Sequence, residues 1–124
     1  MKITTTERGW IGHFCGGHDC RFRRNTLVSY GKIHIVVSTV GQYRPGNTGS
    51  PITVGLDRYY ETMIFHAERI LELYWDADVT KEISVKGKWT VSHKEDTADG
   101  EADAMHNASV LRIIKRIQKG EFSK

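Results

Sequence analysis

The sequence predicts an α+β fold: an antiparallel sheet built from hairpins, with one C-terminal helix packed on it. Three observations predict it. Runs rich in β-branched and aromatic residues, above all KIHIVVSTV at 32–40, fill the first part of the chain. Breaks bearing Gly, Asn and Pro interrupt them, as in RPGNTGS at 44–50. The end of the chain instead carries a helical periodicity, with acidic residues in its first turns and basic residues in its last.

WIGHFC (10–15) and CRFRRNTLVSY (20–30) read as strands flanking Gly16 and Gly17, and KIHIVVSTV as the next strand. ITVGL (52–56) follows the 44–50 loop. In DRYYETMIFHAERILELYW (57–75), Tyr, Thr, Ile and Phe at the start favour a strand, while 63–73 also fits a helix. EISVKGKWTVS (82–92) reads as a hairpin. A two-residue turn at Lys86 and Gly87 would set Ile83 and Val85 against Lys88 and Thr90. A three-residue loop at 86–88 puts Ile83, Val85, Trp89 and Val91 on one face, so a buried face selects the longer loop.

For the helix, Asp96 or Thr97 serves as N-cap and Gly120 as C-cap, with Lys115, Arg116 and Lys119 near the end. Ala102, Met105, His106, Ser109, Val110, Ile113 and Ile117 form one stripe, widened by Ile114. Asn107 lies on one flank, Arg112 and Arg116 on the other. His106, near the stripe's centre, reads as a packed, hydrogen-bonded core histidine.

Composition sets the class. With 39% hydrophobic and 27% charged residues, the 124 residues suit one domain over 1–124, able to build a core without a disulfide or metal. The start, MKITTTERGW, holds no apolar stretch like a signal peptide, and no run is long enough to span a bilayer. The expected compartment is therefore the cytoplasm, with Cys15 and Cys20 reduced. A net charge of +3 is too small for a general nucleic-acid coat, but its distribution is uneven: RFRR concentrates cations, and five carboxylates fall between Glu95 and Asp103.

HFCGGHDC interleaves His13, Cys15, His18 and Cys20 around the Gly pair. A two-residue turn at Gly16 and Gly17 sets Cys15 opposite His18 and His13 opposite Cys20, on the face that also carries Ile11 and Phe22. Side chains on a ribbon point outward in parallel, whereas zinc needs a tetrahedron of ligands, and the spacing matches no standard zinc motif. The cysteines are therefore read as small buried hydrophobes rather than as a metal-dependent hydrolase site. Arg21 and Arg23 fall on the opposite face. Arg23, Arg24, Asn25 and Thr26 offer a compact set of donors for phosphate oxygens. They equally suit solvated charges on an edge strand, or a small nucleic-acid-binding protein using the Arg21 to Thr26 loop with Phe22 interleaved.

In GLDRYYET, Arg58 precedes Tyr59 and Tyr60, which point to opposite faces of a strand. Such an arginine can hold a phosphate while a ring stacks on a base, and Asn107 offers an amide suited to an adenine edge. The competing assignment buries one tyrosine and pairs Arg58 with Asp57, Glu61 or the acidic helix start. No G-x-S-x-G, P-loop, H-x-H or H-E-x-x-H pattern is present, so nothing in the sequence points strongly to catalysis or calls for a cofactor.

RGWIGHF, FRRNTLV, IHIVVSTVG, GLDRYYETMIFHA, YWDADVT and DAMHNA together resemble the phage anti-Thoeris sponge family, over residues 7 to about 122. The resemblance implies a binding protein and not an enzyme, one that sequesters the cyclic ADP-ribose isomer made by a bacterial TIR enzyme and so prevents effector activation, in the host cytoplasm. It implies a homo-oligomer, dimeric or higher, with this pocket at a dimer contact. Arg58, Tyr59, Tyr60, Met105, Asn107 and Arg112 would line that pocket. It also implies a second site for cyclic di- or trinucleotides where subunits meet, using Arg23, Arg24, Asn25 and Thr26. No metal and no membrane are implied.

Overall fold

The computed structural model describes residues 2–10, 13, 19–47, 59–84 and 98–122. Five strands, β1 (Thr4–Glu7), β2 (Cys20–Tyr30), β3 (Ile33–Tyr43), β4 (Tyr60–Ile70) and β5 (Tyr74–Glu82), precede one helix, α1 (Ala98–Gln118). They form one sheet in the order β1-β2-β3-β4-β5, every neighbouring pair antiparallel. The helix packs across β2, β3 and β4, which is the α+β architecture that the sequence predicts.

Strand register decides what meets the helix. Arg24 pairs with Thr39, Thr26 with Val37 and Val28 with Ile35, while Thr39 pairs with Thr62 and Val37 with Ile64. By the two-residue alternation these side chains share one face. Val28, Ile35, Val37 and Ile64 pack there with Ile83, Ile113 and Ile117. The helical stripe behaves as expected, since Ala102, Met105, His106, Ser109, Ile113 and Ile117 are all buried. Gly120 ends the helix with a φ of 79°. Its N–H bonds Ile117 O at 2.9 Å and the Glu121 N–H bonds Arg116 O at 3.1 Å, the paired bonds of a Schellman cap.

The second face is buried as well. Val36, Ser38 and Val40 have no more exposure than Ile35, Val37 and Thr39. The unbroken apolar texture of β3 is what a strand covered on both sides requires. The chain after β1 supplies part of the cover. Arg8 Nε donates to Asn25 Oδ1 of β2 at 2.8 Å, and its Nη1 donates to Trp75 O of β5. His34 of β3 stacks on Trp75 with centroids 3.8 Å apart. His34 and Trp75 thus meet from strands two apart, and Arg8 bridges β2 to the backbone of β5, so the sheet is rolled toward this face.

Several expectations change. The strand expected at 10–15 is not one where described, because Trp10 and His13 lie outside any strand; the rest of it, the 52–56 strand, the 85–92 hairpin register and the Asp96/Thr97 cap lie outside the described residues. β1 was not expected, its TTTE being exposed throughout and without an apolar face. The ambiguous 63–73 stretch is strand to Ile70, then a turn, then a fifth strand. That turn carries no Gly, Asn or Pro: Leu73 N–H closes on Ile70 O at 2.9 Å while Leu71 and Glu72 take φ values of 52° and 57°. β5 then bulges between its pairings Ala77↔Ala67 and Glu82↔Phe65. Asp78 Oδ1 pins the bulge by accepting from Thr80 N–H at 3.0 Å and Thr80 Oγ1 at 2.6 Å.

Gly41 allows the closest approach in the sheet: a Cβ there would overlap the Tyr60 ring and lie 2.7 Å from Tyr59 O. Gly41→Ala is expected to lose at least about 2 kcal/mol in urea denaturation through overpacking. Gly100→Ala, with nothing within 4 Å, should gain about 0.5–1 kcal/mol from helix propensity.

Candidate ligand-binding site

Three threonines on adjacent strands and one histidine of α1 form a buried polar chain. Thr26 Oγ1 donates to Glu7 Oε1 at 2.6 Å. Its single proton being committed, Thr26 must accept from His106 Nε2, 2.7 Å away. A neutral ring then accepts at Nδ1 from Thr39 Oγ1, at 2.7 Å, and Thr39 accepts in turn from Thr62 Oγ1, also at 2.7 Å. The donors run one way, Thr62 to Thr39 to His106 to Thr26 to Glu7. Burial, then the Arg24 cation, push the His106 pKa down to about 4, in keeping with a neutral ring.

Glu7 anchors the chain's end. Arg24 grips it with Nε at 3.3 Å from Oε2 and Nη2 at 2.8 Å from Oε1. Partial burial raises the Glu7 pKa, but the bonds from Arg24 and Thr26 outweigh this and leave it lowered. Arg24 Nη1 also reaches Asp103 Oδ1 at 2.8 Å and Asn107 Oδ1 at 2.7 Å. One guanidinium therefore ties β1 to two successive turns of α1.

Beside this chain, toward the helix start, lies an apolar cluster. Tyr60, Ala102 and Met105 are buried together, with Phe22 and Tyr59 packed against them. Phe22 meets Tyr60 edge-on at 5.8 Å. The Tyr60 hydroxyl donates to Asp99, and Asp99 Oδ2 pairs with Arg21 Nη2 at 2.9 Å. Burial and then the Asp99 contact raise the Tyr60 pKa, so it stays a neutral donor. Tyr60 is fully buried, whereas Tyr59 and Phe22 are only half-buried and keep part of their surface exposed.

On the second face, His13 joins Ser38 and Glu61, with Nδ1 2.9 Å from Ser38 Oγ and Nε2 3.0 Å from Glu61 Oε1. The polarity is that of a general base, but Ser38 has no exposure and His13 itself covers it. Cys20 is buried and its thiol is pushed up to about 11 by that burial, so it stays a protonated hydrophobe. Among the described residues no three His, Cys, Asp or Glu side chains come together to hold a metal ion, Cys15 and His18 lying outside them. No described helix is long and apolar enough to cross a membrane.

The structure brings Tyr59, Tyr60 and Met105 together but places Asn107 with Arg24. Arg112 lies more than a turn further along α1, half-buried, and Arg58 is outside the described residues. The Arg21 to Thr26 segment is not a loop: it is the body of β2, paired with β1 and β3. Strand alternation divides Arg23, Arg24, Asn25 and Thr26, since Arg24 and Thr26 face the helix while Asn25 turns away toward Arg8. Arg21 does not stay opposite Phe22 but reaches Asp99. The β2–β3 ladder skips Arg21, for Gln42 has a φ of 46° and its N–H goes to Tyr59 O at 2.8 Å. Glu7, Thr39, Thr62, Asp99 and Asp103 went unread in the sequence. Their partners lie 17 to 79 residues away, and no local pattern marks such pairs.

The buried chain predicts acid lability. Below pH 6.5 the unfolded chain protonates its histidine while folded His106, facing Arg24, Glu7 and Asp103, stays neutral down to about pH 4. The unfolded state then binds more protons, so stability falls as pH drops through that interval, by roughly 3 kcal/mol in all. The lowered Glu7 pKa adds further loss below its ordinary 4.5. Urea midpoints between pH 7 and 4 measure the slope, and His106→Gln should flatten it. Family models, curated proteins and solved structures yield no match to this chain.

Proposed function

We propose that this protein binds and sequesters a cyclic ADP-ribose isomer without cleaving it, at the junction of β2, the start of β4 and the first half of α1. One observation carries the reading beyond the sequence resemblance: the cluster of Phe22, Tyr59, Tyr60 and Met105 lies between Arg21 and the Arg24–Asn107 pair. A cyclic ADP-ribose isomer presents an adenine face and two phosphates. Tyr59 supplies the stacking ring, Tyr60 and Met105 the apolar floor, and the guanidiniums charge-assisted bonds. Asn107, held by Arg24 through its Oδ1, keeps its amide N–H groups for a base edge.

Sequestration needs no activated nucleophile. Among the described residues the arrangement nearest to one is Ser38 with His13 and Glu61, and there Ser38 is fully buried. The reading extends to cyclic di- or trinucleotides through Arg23, and through Arg24 where it exchanges its bonds to Glu7 or Asp103 for a phosphate, because the buried Asn25 and Thr26 side chains are committed to Arg8 and to Glu7 and His106. A general nucleic-acid interface fits less well. Asp99 matches Arg21, while Glu7 and Asp103 match Arg24, so the run is no bare cationic stripe.

Capture and release tests the proposal. The protein is mixed with cyclic ADP-ribose isomers, freed of unbound material, heat-denatured, and the released compounds identified by mass spectrometry. Intact isomer is the expected product, and none recovered discards the reading. Tyr59→Ala should weaken binding about tenfold, as loss of a stacking ring does, with the melting temperature little changed.

A further inference from the structure

We propose that the β4–β5 turn is a self-docking plug: Leu71 and Leu73 of one copy seat in the groove between β1 and the end of α1 of a second copy, with Glu72 against Lys2. The contact is independent of which ligand the protein binds.

The turn holds apolar side chains in water at a conformational cost. Leu71 is 80% exposed and Leu73 78%, with Tyr74 beside them at 42%. Both central residues, Leu71 and Glu72, are left-handed, with φ of 52° and 57°. A two-residue turn of this hand is best made by Asn-Gly, and a leucine with positive φ is strained by its own Cβ. Arg69 Nη2 braces the strained backbone by donating to Glu72 O at 3.1 Å. Even so braced, the turn leaves both leucines largely exposed, and exposed apolar tips and strained turns are found where a surface is used.

The same chain carries a matching socket. An open groove of about 630 Å³ is lined by Lys2, Ile3, Thr5, Tyr30, Ile114 and Ile117. Ile3, Tyr30 and Ile114 are only partly buried against the core, so apolar wall remains uncovered. Lys2 is the one charged group among those lining residues, and Glu72 the one charged group of the turn, so tip and groove are complementary in charge as well as apolar character. The turn closes one edge pair of the sheet, β4–β5, while the groove lies at β1 on the other edge. A tip and a groove at different places make a head-to-tail contact, which closes into a ring or runs on as a chain of copies.

Sedimentation velocity over a range of protein concentrations tests this. The intact protein should sediment as an assembly that dissociates on dilution. The double substitution Leu71→Asn with Glu72→Gly gives the turn the residues its geometry favours, so it should melt no lower than the wild type while running as a single copy. Lys2→Glu should raise the concentration for half-assembly about tenfold, and adding Glu72→Lys to it should restore the wild-type value. A wild type that stays a single copy throughout overturns the proposal. So does a turn variant that keeps the wild-type mass, or a reversed charge pair that fails to recover assembly.

Discussion

The contact of His106 with Thr26 and Thr39 sets where the helix can lie, because each ring nitrogen has one hydroxyl within reach and no solvent to replace it. A helix held by isoleucines alone can slide along a sheet with little penalty, since apolar contacts are non-directional. A buried imidazole cannot: moving it strands a donor or an acceptor, at about 1–3 kcal/mol each. Thr26, Thr39 and Thr62 lie on three adjacent strands. The chain of donors therefore fixes the helix across the sheet as well as along it, and Glu7 extends the constraint to β1.

That constraint places the candidate site. With His106 fixed, Asp103 and Asn107 fall one residue short of a turn before it and directly after it, within reach of Arg24. Ala102 and Met105 fall over Tyr60. Structural and binding chemistry are then not separable at Arg24, which holds Glu7 and the helix with the same guanidinium that could receive a phosphate. Arg21 is more exposed than Arg24, 51% against 22%, so its single pair with Asp99 is more screened by water and weaker.

The opposite face follows a different logic. Arg8 spans from β2 to β5 and lies 3.6 Å from the Trp10 ring centroid, while Trp10 meets Tyr74 edge-on at 5.4 Å. A guanidinium between strands at the two sides of a rolled sheet limits how far the sheet can flatten. His13, with Ser38 and Glu61, pins the same N-terminal segment further along. Two arrays of polar groups, one on each face, thus grip the sheet, and the central strand β3 contributes Thr39 to one and Ser38 to the other.

The fold class, β2, β3 and the stripe and C-cap of α1 were legible because each is written in local pattern: β-branched runs, a 3.6-residue period, a glycine after the last helical turn. His106 was legible as a core histidine for the same reason. The turn at Leu71 and Glu72 was not, since its residues contradict its geometry, and β5 was hidden with it. Nor could alternation place Arg21, where a positive φ at Gln42 breaks the ladder. What sequence alone determined is therefore the class of fold and the inventory of donors, rings and cations. Which of them meet was decided only in three dimensions. Arg24 joins Glu7, Asp103 and Asn107 because strand register and helix position, set by contacts spanning most of the chain, bring them there.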